Sequence, residues 1–303
     1  MKAILVTTPG GISALEYGEI PDPKNEDDQV LVRVRSANIN PTDIAARDGH
    51  VRGDAKPPYV LGWDFAGDIV EVGNSVDKFL VGDRVAGMIP WYDVAGRVGA
   101  YSTYIAVPTD WIVKISKVLD YDVAATIPLN GLTAYQSLEL LNLNEGENIL
   151  ITGASGSVGG FAVELAKQQG LVVSAIASEG DEEWVNALGA AVVYSGRMIQ
   201  PEFKQFRYVF DAAPIGDPLF DVLDDGAVIV TTRRVGSVKN LERLQIKAMG
   251  VKSNQKTLEN LLKLAEGKLI HTRIASTFPL SEIQRAHTMA EQGKLRGKVL
   301  LHP

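Results

Sequence analysis

The run Ile149-Leu150-Ile151-Thr152-Gly153-Ala154-Ser155-Gly156-Ser157-Val158-Gly159-Gly160 has the residue types and the spacing to hold a dinucleotide. Read from Ala154, it follows the pattern G-x-G-x-x-G with alanine in first place, Gly156 second and Gly159 third, and Gly153 stands immediately before it. Small residues let the backbone close on a pyrophosphate, and a helix that starts there offers unpaired N–H groups and the positive end of its dipole. Gly153, Ala154, Ser155, Gly156, Ser157, Val158 and Gly159 are therefore the candidate cofactor cradle. The spacing alone also suits a glycine-rich turn that binds nothing, so context decides. A buried-strand run precedes the turn, Val158, Ala162, Leu165 and Ala166 recur after it at helical spacing, and Leu171 to Ala177 reads as a second strand.

The elements around that turn alternate. Strands at 148–152, 171–177, 191–194, 207–212 and 226–231 are interleaved with helices at 158–169 and 181–188, and that rhythm requires a mostly parallel sheet with helices on its faces. The chain before about residue 118 has another texture. Lys2 to Thr7 reads as a strand, and from Gln29 to Asn38 the residues Val30, Val32 and Val34 alternate with Arg33 and Arg35, the pattern of a half-buried antiparallel strand. Gly62 to Gly67 and Gly82-Asp83-Arg84 read as turns, with a strand from Asp68 to Gly73 between them. Polar groups gather where the Gln29 strand ends, at Asn40 and Asp43, and serve there equally well as helix caps or as substrate ligands. Trp63, Trp91 and Tyr92 either wall a pocket or pack on a neighbouring surface. After residue 250, a helix from Thr257 to Glu266, a strand from Thr272 to Phe278, a helix capped by Ser281 and a strand from Leu295 to Leu301 close the chain.

Composition narrows the function. A chain of 303 residues exceeds the usual size of one core, so two domains are expected. Thirty basic against thirty-seven acidic residues, with no run of Lys or Arg, give a net charge of −7 and no footprint for nucleic acid. No apolar run approaches a membrane span and Met1-Lys2-Ala3-Ile4 enters a strand without a cleavable signal, so the expected home is the cytoplasm. The absence of cysteine removes disulfides, thiol catalysis and thiolate metal sites, and His50, His271, His287 and His302 are scattered without paired ligand spacing. No metal is expected.

Seven stretches together resemble the medium-chain dehydrogenase/reductases, and within them the zinc-free quinone oxidoreductases related to ζ-crystallin. They are Ala37-Asn38-Ile39-Asn40-Pro41-Thr42-Asp43, Leu61 to Gly67, Gly82-Asp83-Arg84-Val85, Gly99 to Tyr104, Ile127 to Tyr135, the Gly153 to Gly159 turn, and Gly293-Lys294-Leu295-Arg296-Gly297-Lys298-Val299. The resemblance implies an α/β protein: a GroES-like β-rich domain formed by residues 1–118 and 252–303, and a Rossmann doubly wound parallel sheet domain at 119–251. A cleft between the two would hold nicotinamide and substrate, and the assembly would be a homodimer or homotetramer. Zinc-dependent relatives place a cysteine at Asn40 and a histidine at Trp63, and carry a four-cysteine lobe after the Gly-Asp-Arg-Val turn. With both ligands replaced and only a short loop there, alcohol oxidation lacks its Lewis acid.

The same resemblance puts Asn40, Asp43, Asn130 and Thr133 nearest the nicotinamide, with Thr133 on its carboxamide. Cofactor choice turns on the end of the second parallel strand, where NAD enzymes use an acid on the ribose 2′-hydroxyl. Ile176-Ala177-Ser178 is neutral there, Ser178 can donate to a 2′-phosphate, and Tyr194 matches a tyrosine beside the adenosine in NADPH enzymes, so NADPH is expected over NADH even though Glu179 lies close. The expected reaction is hydride transfer to a quinone. The alternatives are an enone or alkenal (α,β-unsaturated carbonyl) acceptor, or dinucleotide binding with little turnover.

Overall fold

The computed structural model of the chain describes residues 1–51, 53–196, 203, 205–213, 215, 217–232, 241–293 and 295–303. Lys294 of the last family stretch, and most of the short connection from Gly196 to Phe206, lie outside them. The chain divides into two compact units. The first comprises Met1–Leu129, Lys252–Glu266 and Thr272–Pro303, and the second Asn130–Val251 and Gly267–His271.

The first unit is β-rich. Its strands are β1 (Lys2–Val6), β2 (Glu16–Glu19), β3 (Gln29–Asn38), β4 (Tyr59–Val60), β5 (Asp64–Val72), β6 (Arg84–Met88), β7 (Tyr104–Pro108) and β8 (Ile112–Lys114), with helices α1 (Pro41–Arg47) and α2 (Tyr121–Thr126). β3 buries Val30, Val32 and Val34 on one face, as the alternation predicts, and pairs antiparallel with β5 and β7. The expected strand at Asp68 begins four residues earlier, at Asp64. Gly67, expected to close a turn, sits inside that strand, because a Cβ there would stand 2.2 Å from the Arg33 carbonyl oxygen. A glycine in a strand marked a close backbone approach to β3, with register shifts on either side of it.

The second unit contributes α3 (Pro128–Leu141, from Asn130 onward), β9 (Asn148–Thr152), α4 (Ser157–Gln168), β10 (Val172–Ala177), α5 (Glu182–Leu188), β11 (Val192–Ser195), β12 (Tyr208–Asp211), α6 (Asp217–Val222), β13 (Val228–Thr231) and β14 (Gln245–Ala248). Its six strands run parallel in the order β11-β10-β9-β12-β13-β14, so the direction of winding reverses between β9 and β12. In such sheets ligands bind beyond the carboxyl ends of the strands at that reversal. The sheet matches the expected rhythm except for β14, whose Gln245-Ile246-Lys247-Ala248 buries no residue fully and carries no apolar period.

The chain then returns to the first unit through α7 (Gln255–Glu266), β15 (Ile274–Pro279), α8 (Ile283–Glu291) and β16 (Lys298–His302), and β16 inserts between β15 and β3. Ser281 does not cap α8; it lies in a 3-10 turn, Leu280–Glu282, that runs into the helix. Among the described residues no helix is long and apolar enough to cross a membrane.

Candidate active site

In the second unit the glycine-rich turn leaves the end of β9 and enters α4, with Gly156 as the residue before the first helical turn. Gly153 has φ +62, and a Cβ on it would meet the Ala213 Cβ at 2.4 Å. Gly153 therefore makes the tight turn, one residue ahead of the Ala154 that heads the spaced pattern. At Gly159 a Cβ would stand 2.2 Å from the Gly153 carbonyl oxygen, so this glycine is needed for helix and strand to close. Gly156 is different. Its φ of −85 suits any residue and the nearest atom to an added Cβ is 3.3 Å away, which leaves the open side of the turn as the reason for glycine. A pyrophosphate fits such a cradle, because the first N–H groups of α4 have no partner within the helix.

Two hydrogen-bond sets brace the turn. Ser155 Oγ accepts from the Ser178 backbone N–H at 2.8 Å, which joins the turn to the end of β10 and brings two candidate cofactor residues together. Thr152 Oγ1 donates to Asp211 Oδ1 at 2.8 Å, Thr231 Oγ1 donates to Asp211 Oδ2 at 3.3 Å, and the Ala213 N–H donates to Thr152 Oγ1 at 3.2 Å. The buried Asp211 thus ties the carboxyl ends of β9, β12 and β13, at the winding reversal. Tyr194 lies on β11 with its ring packed edge-on against Phe203, centroids 4.7 Å apart, as part of the core of this unit. Asn130 and Thr133 stand one turn apart on α3, both buried and on one face of the helix.

The first unit brings Asn40 and Asp43 together where β3 runs into α1. The Asp43 carboxylate reaches back to the Asn40 backbone N–H at 2.8 Å, the return arm of a capping box. The Asn40 side chain faces into a buried polar cluster. Its Nδ2 donates to Asp64 Oδ2 at 2.8 Å, and its Oδ1 accepts from Lys298 Nζ at 2.9 Å and from Asn38 Nδ2 at 3.2 Å. Asp64 also accepts from Asn38 Nδ2 at 3.1 Å and from the Leu129 backbone N–H at 2.7 Å. Tyr101 is buried beside Asp43.

Burial sets the charges of this cluster. It raises the Asp43 carboxyl to about 8, against the Asn40 N–H that favours the anion and with the help of neighbouring Asp64. It raises Asp64 to about 6, opposed by the hydrogen bonds from Asn40, Leu129 and Asn38. It lowers Lys298 to about 8, opposed by the two carboxylates, and holds the Tyr101 phenol far above its ordinary value. Burial thus favours the neutral forms of Asp43, Asp64 and Lys298, and it acts more strongly on Asp43 than on Asp64.

Asp64 and Lys298 carry this cluster and sequence reasoning missed both. A signal existed: each charge stands at the head of a strand beside large apolar residues, Asp64 between Trp63 and Phe65, Lys298 before Val299-Leu300-Leu301. Such charges need partners, and these two have opposite sign.

Trp63 belongs to an aromatic stack. Its ring lies 4.7 Å from that of Trp91 and 5.3 Å from that of Tyr92, while Tyr59 meets Trp91 edge-on at 5.2 Å. Trp63 and Trp91 are buried and Tyr92 is partly exposed, so the rings pack on one another rather than standing free in a loop. These residues do not fit zinc. An amide whose oxygen already accepts from an ammonium, and an indole in a packed stack, offer a divalent cation neither charge nor a free lone pair. Among the described residues no group of three His, Cys, Asp or Glu could hold a metal ion.

Comparison with known proteins identifies the family. Residues 26–117 match the family model described as alcohol dehydrogenase GroES-like domain, and residues 188–301 the one described as zinc-binding dehydrogenase. The chain is 30% identical to the 2-methylene-furan-3-one reductase of Solanum lycopersicum, over all of this chain and 79% of that protein. This chain belongs to the medium-chain dehydrogenase/reductases. Another relative in that family, the chloroplastic NADPH-dependent alkenal/one oxidoreductase of Arabidopsis thaliana, is 29% identical over all of this chain and 80% of its own length. Among solved structures, the quinone oxidoreductase of Coxiella burnetii superposes with a TM-score of 0.86 at 28% identity, covering 100% of this chain and 99% of that one. This medium-chain reductase therefore has the expected α/β architecture, a GroES-like β-rich part and a parallel dinucleotide-binding sheet.

Proposed function

We propose that this protein is a zinc-independent, NADPH-dependent oxidoreductase that reduces a quinone. The observation that carries the reading is the state of Asn40: where zinc-dependent relatives hold a metal ligand, this chain has a neutral amide clamped between Lys298 and Asp64. A site of that kind suits an acceptor that is electrophilic by itself, so that orientation and a few hydrogen bonds suffice. When bound, the reduced nicotinamide supplies the hydride.

In this reading the backbone of Gly153 to Gly159 holds the pyrophosphate, with Ser157, Val158 and Gly159 presenting their N–H groups. Ser178 donates to the 2′-phosphate, Tyr194 flanks the adenosine, and Thr133 holds the carboxamide. Asn40 and Asn130 orient the acceptor, and Asp43 fixes the Asn40 backbone. The neutral end of β10 supports NADPH over NADH, as does the NADPH dependence for which the Arabidopsis relative is named. A cytoplasmic homodimer or homotetramer is part of the same proposal, checked by light scattering on the purified chain.

An enone or alkenal acceptor is the second reading, favoured by the activities named for the two plant relatives. Both acceptor classes are distinguished by following NADPH absorbance with 1,4-naphthoquinone and, separately, with an alkenal. Faster turnover of the quinone supports the first reading and faster turnover of the alkenal the second. Tight NADPH binding with negligible turnover of either leaves a dinucleotide-binding protein. In the Asn40→Ala/Asn130→Ala protein, quinone turnover falls; unchanged turnover and unchanged NADPH affinity would remove both residues from the site.

A further inference from the structure

Hydride transfer to a quinone does not by itself require a lysine, yet one is buried at the centre of the polar cluster. Lys298 is 9% exposed and lies on β16, the strand that returns from the far end of the chain to pair with β3. Taking an ammonium out of water is costly unless anions and acceptors replace its hydration. Its facing groups here are the Asn40 carbonyl oxygen at 2.9 Å and the carboxyl groups of Asp64 and Asp43.

The hydrogen-bond pattern has a directional consequence. Two donors, Lys298 Nζ and Asn38 Nδ2, converge on Asn40 Oδ1, while Asn40 Nδ2 donates to Asp64. A flipped amide would set its NH2 group against the ammonium and its oxygen against the carboxylate. Lys298 and Asp64, acting from opposite sides, therefore allow one orientation only. Zinc does not fit here, but the position of Asn40 is the one at which zinc-dependent relatives present a ligand to their cation.

We propose that Lys298 is the positioning residue of this site: its ammonium stands in electrostatically for the metal of the zinc-dependent branch and, with Asp64 on the other side, locks the buried Asn40 amide in a single orientation. The functional half of this inference rests on the proposed function, in which Asn40 helps to orient the acceptor. The structural half, that Lys298 locks the amide, does not.

The test uses the full-length Lys298→Met and Lys298→Gln proteins, with melting followed by circular dichroism. The side-chain amide signal of Asn40 is read by 1H–15N spectroscopy and assigned by its loss in Asn40→Ala. In the wild type the two Asn40 amide protons give sharp, slowly exchanging signals; in Lys298→Met they shift and exchange faster. Turnover of 1,4-naphthoquinone in Lys298→Met falls on the order of 100-fold in kcat, the scale expected for a misplaced polar group. NADPH affinity, read by fluorescence quenching, stays within about twofold because the proposed cradle lies in the other unit. Lys298→Gln, which keeps a neutral donor, recovers part of the loss. Should Lys298→Met fail to fold, the charge-balanced Lys298→Met/Asp64→Asn protein takes its place and shows the same two losses. Unchanged Asn40 amide signals in a folded protein lacking the ammonium overturn the lock. Unchanged kcat in that protein overturns its role in turnover. A wild type that turns over neither acceptor defeats the proposed function instead, and the amide signals still decide on Lys298.

Discussion

The buried cluster of Asn38, Asn40, Asp43, Asp64 and Lys298 is held together by compensation rather than by strong individual bonds. Each charge in it would be unfavourable alone, and the Asn40 amide bridges the Lys298 and Asp64 side chains. Asp43 is the residue whose protonation the fold decides. Its carboxyl, ordinarily at 3.8, is raised to about 8, so between those values the folded protein keeps a proton that the unfolded chain has released. That contribution to stability is complete below the ordinary value and is lost as pH rises through the folded one. Asp43→Asn, which cannot lose a proton, therefore gains on the wild type from about pH 4 to pH 8 by up to about 1.4 kcal/mol per unit, measured by denaturant melts across that range. A gap that stays constant with pH would show Asp43 to be ionised in the fold. The sequence made two of these five residues legible. Asn40 and Asp43 stand together after a strand, where polar residues are conspicuous. Asp64 and Lys298 each head a strand beside apolar residues, and Lys298 meets Asn40 across 258 positions, a pairing that no local pattern announces.

At the scale of elements, the strand-turn-helix of β9 and α4 was the most readable part, because its glycines answer to local geometry. They do not all answer to the same constraint. Gly159→Ala forces a Cβ to 2.2 Å from a carbonyl oxygen and lowers the melting temperature as well as NADPH affinity. Gly156→Ala comes no closer than 3.3 Å, to the Gly153 carbonyl oxygen, so it costs less stability than Gly159→Ala while NADPH affinity drops by about tenfold or more. Equal losses of stability in both would contradict this division. Across the first unit, α1 is tied to α8 by Arg47, which donates to His287 Nδ1 at 3.2 Å and pairs with Glu291. Burial and the Arg47 guanidinium hold His287 down to about 3, so below its ordinary 6.5 the unfolded chain takes up a proton that the fold refuses. Stability is lost as pH falls through that window. His287→Gln, compared with the wild type by thermal melts from pH 7 to pH 4, does not share that loss, which reaches about 1.4 kcal/mol per unit in the wild type. Parallel curves would place the protonated form of His287 in the fold. The start of β5 at Asp64 and the edge strand β14 escaped sequence reasoning for opposite reasons. Gly67 looked like a turn because its close neighbour, the Arg33 carbonyl, lies on another strand, and β14 is an exposed edge with no apolar face to give it a period.

For the whole molecule, the chain leaves the first unit at Leu129 and returns to it at Lys252. The returning stretch supplies β16, and with it the ammonium at Asn40, so the polar cluster is complete only when the last strand has been built. Truncation before Lys298 is therefore expected to expose Asn40 and Asp64 and to destabilise the first unit, seen as loss of its cooperative melt. Alternation and glycine spacing gave a parallel sheet and a β-rich part, while the return of the chain to its first unit has no local signature. The central claim is that reduced nicotinamide reaches an electron-poor acceptor in this protein without help from a bound metal. Its most direct test is NADPH oxidation by 1,4-naphthoquinone, followed by absorbance, in protein stripped of metal by chelator and dialysed. Turnover equal to that of the untreated protein, and unchanged when zinc is returned, is the predicted result; activity that disappears with the chelator and comes back with zinc would contradict it.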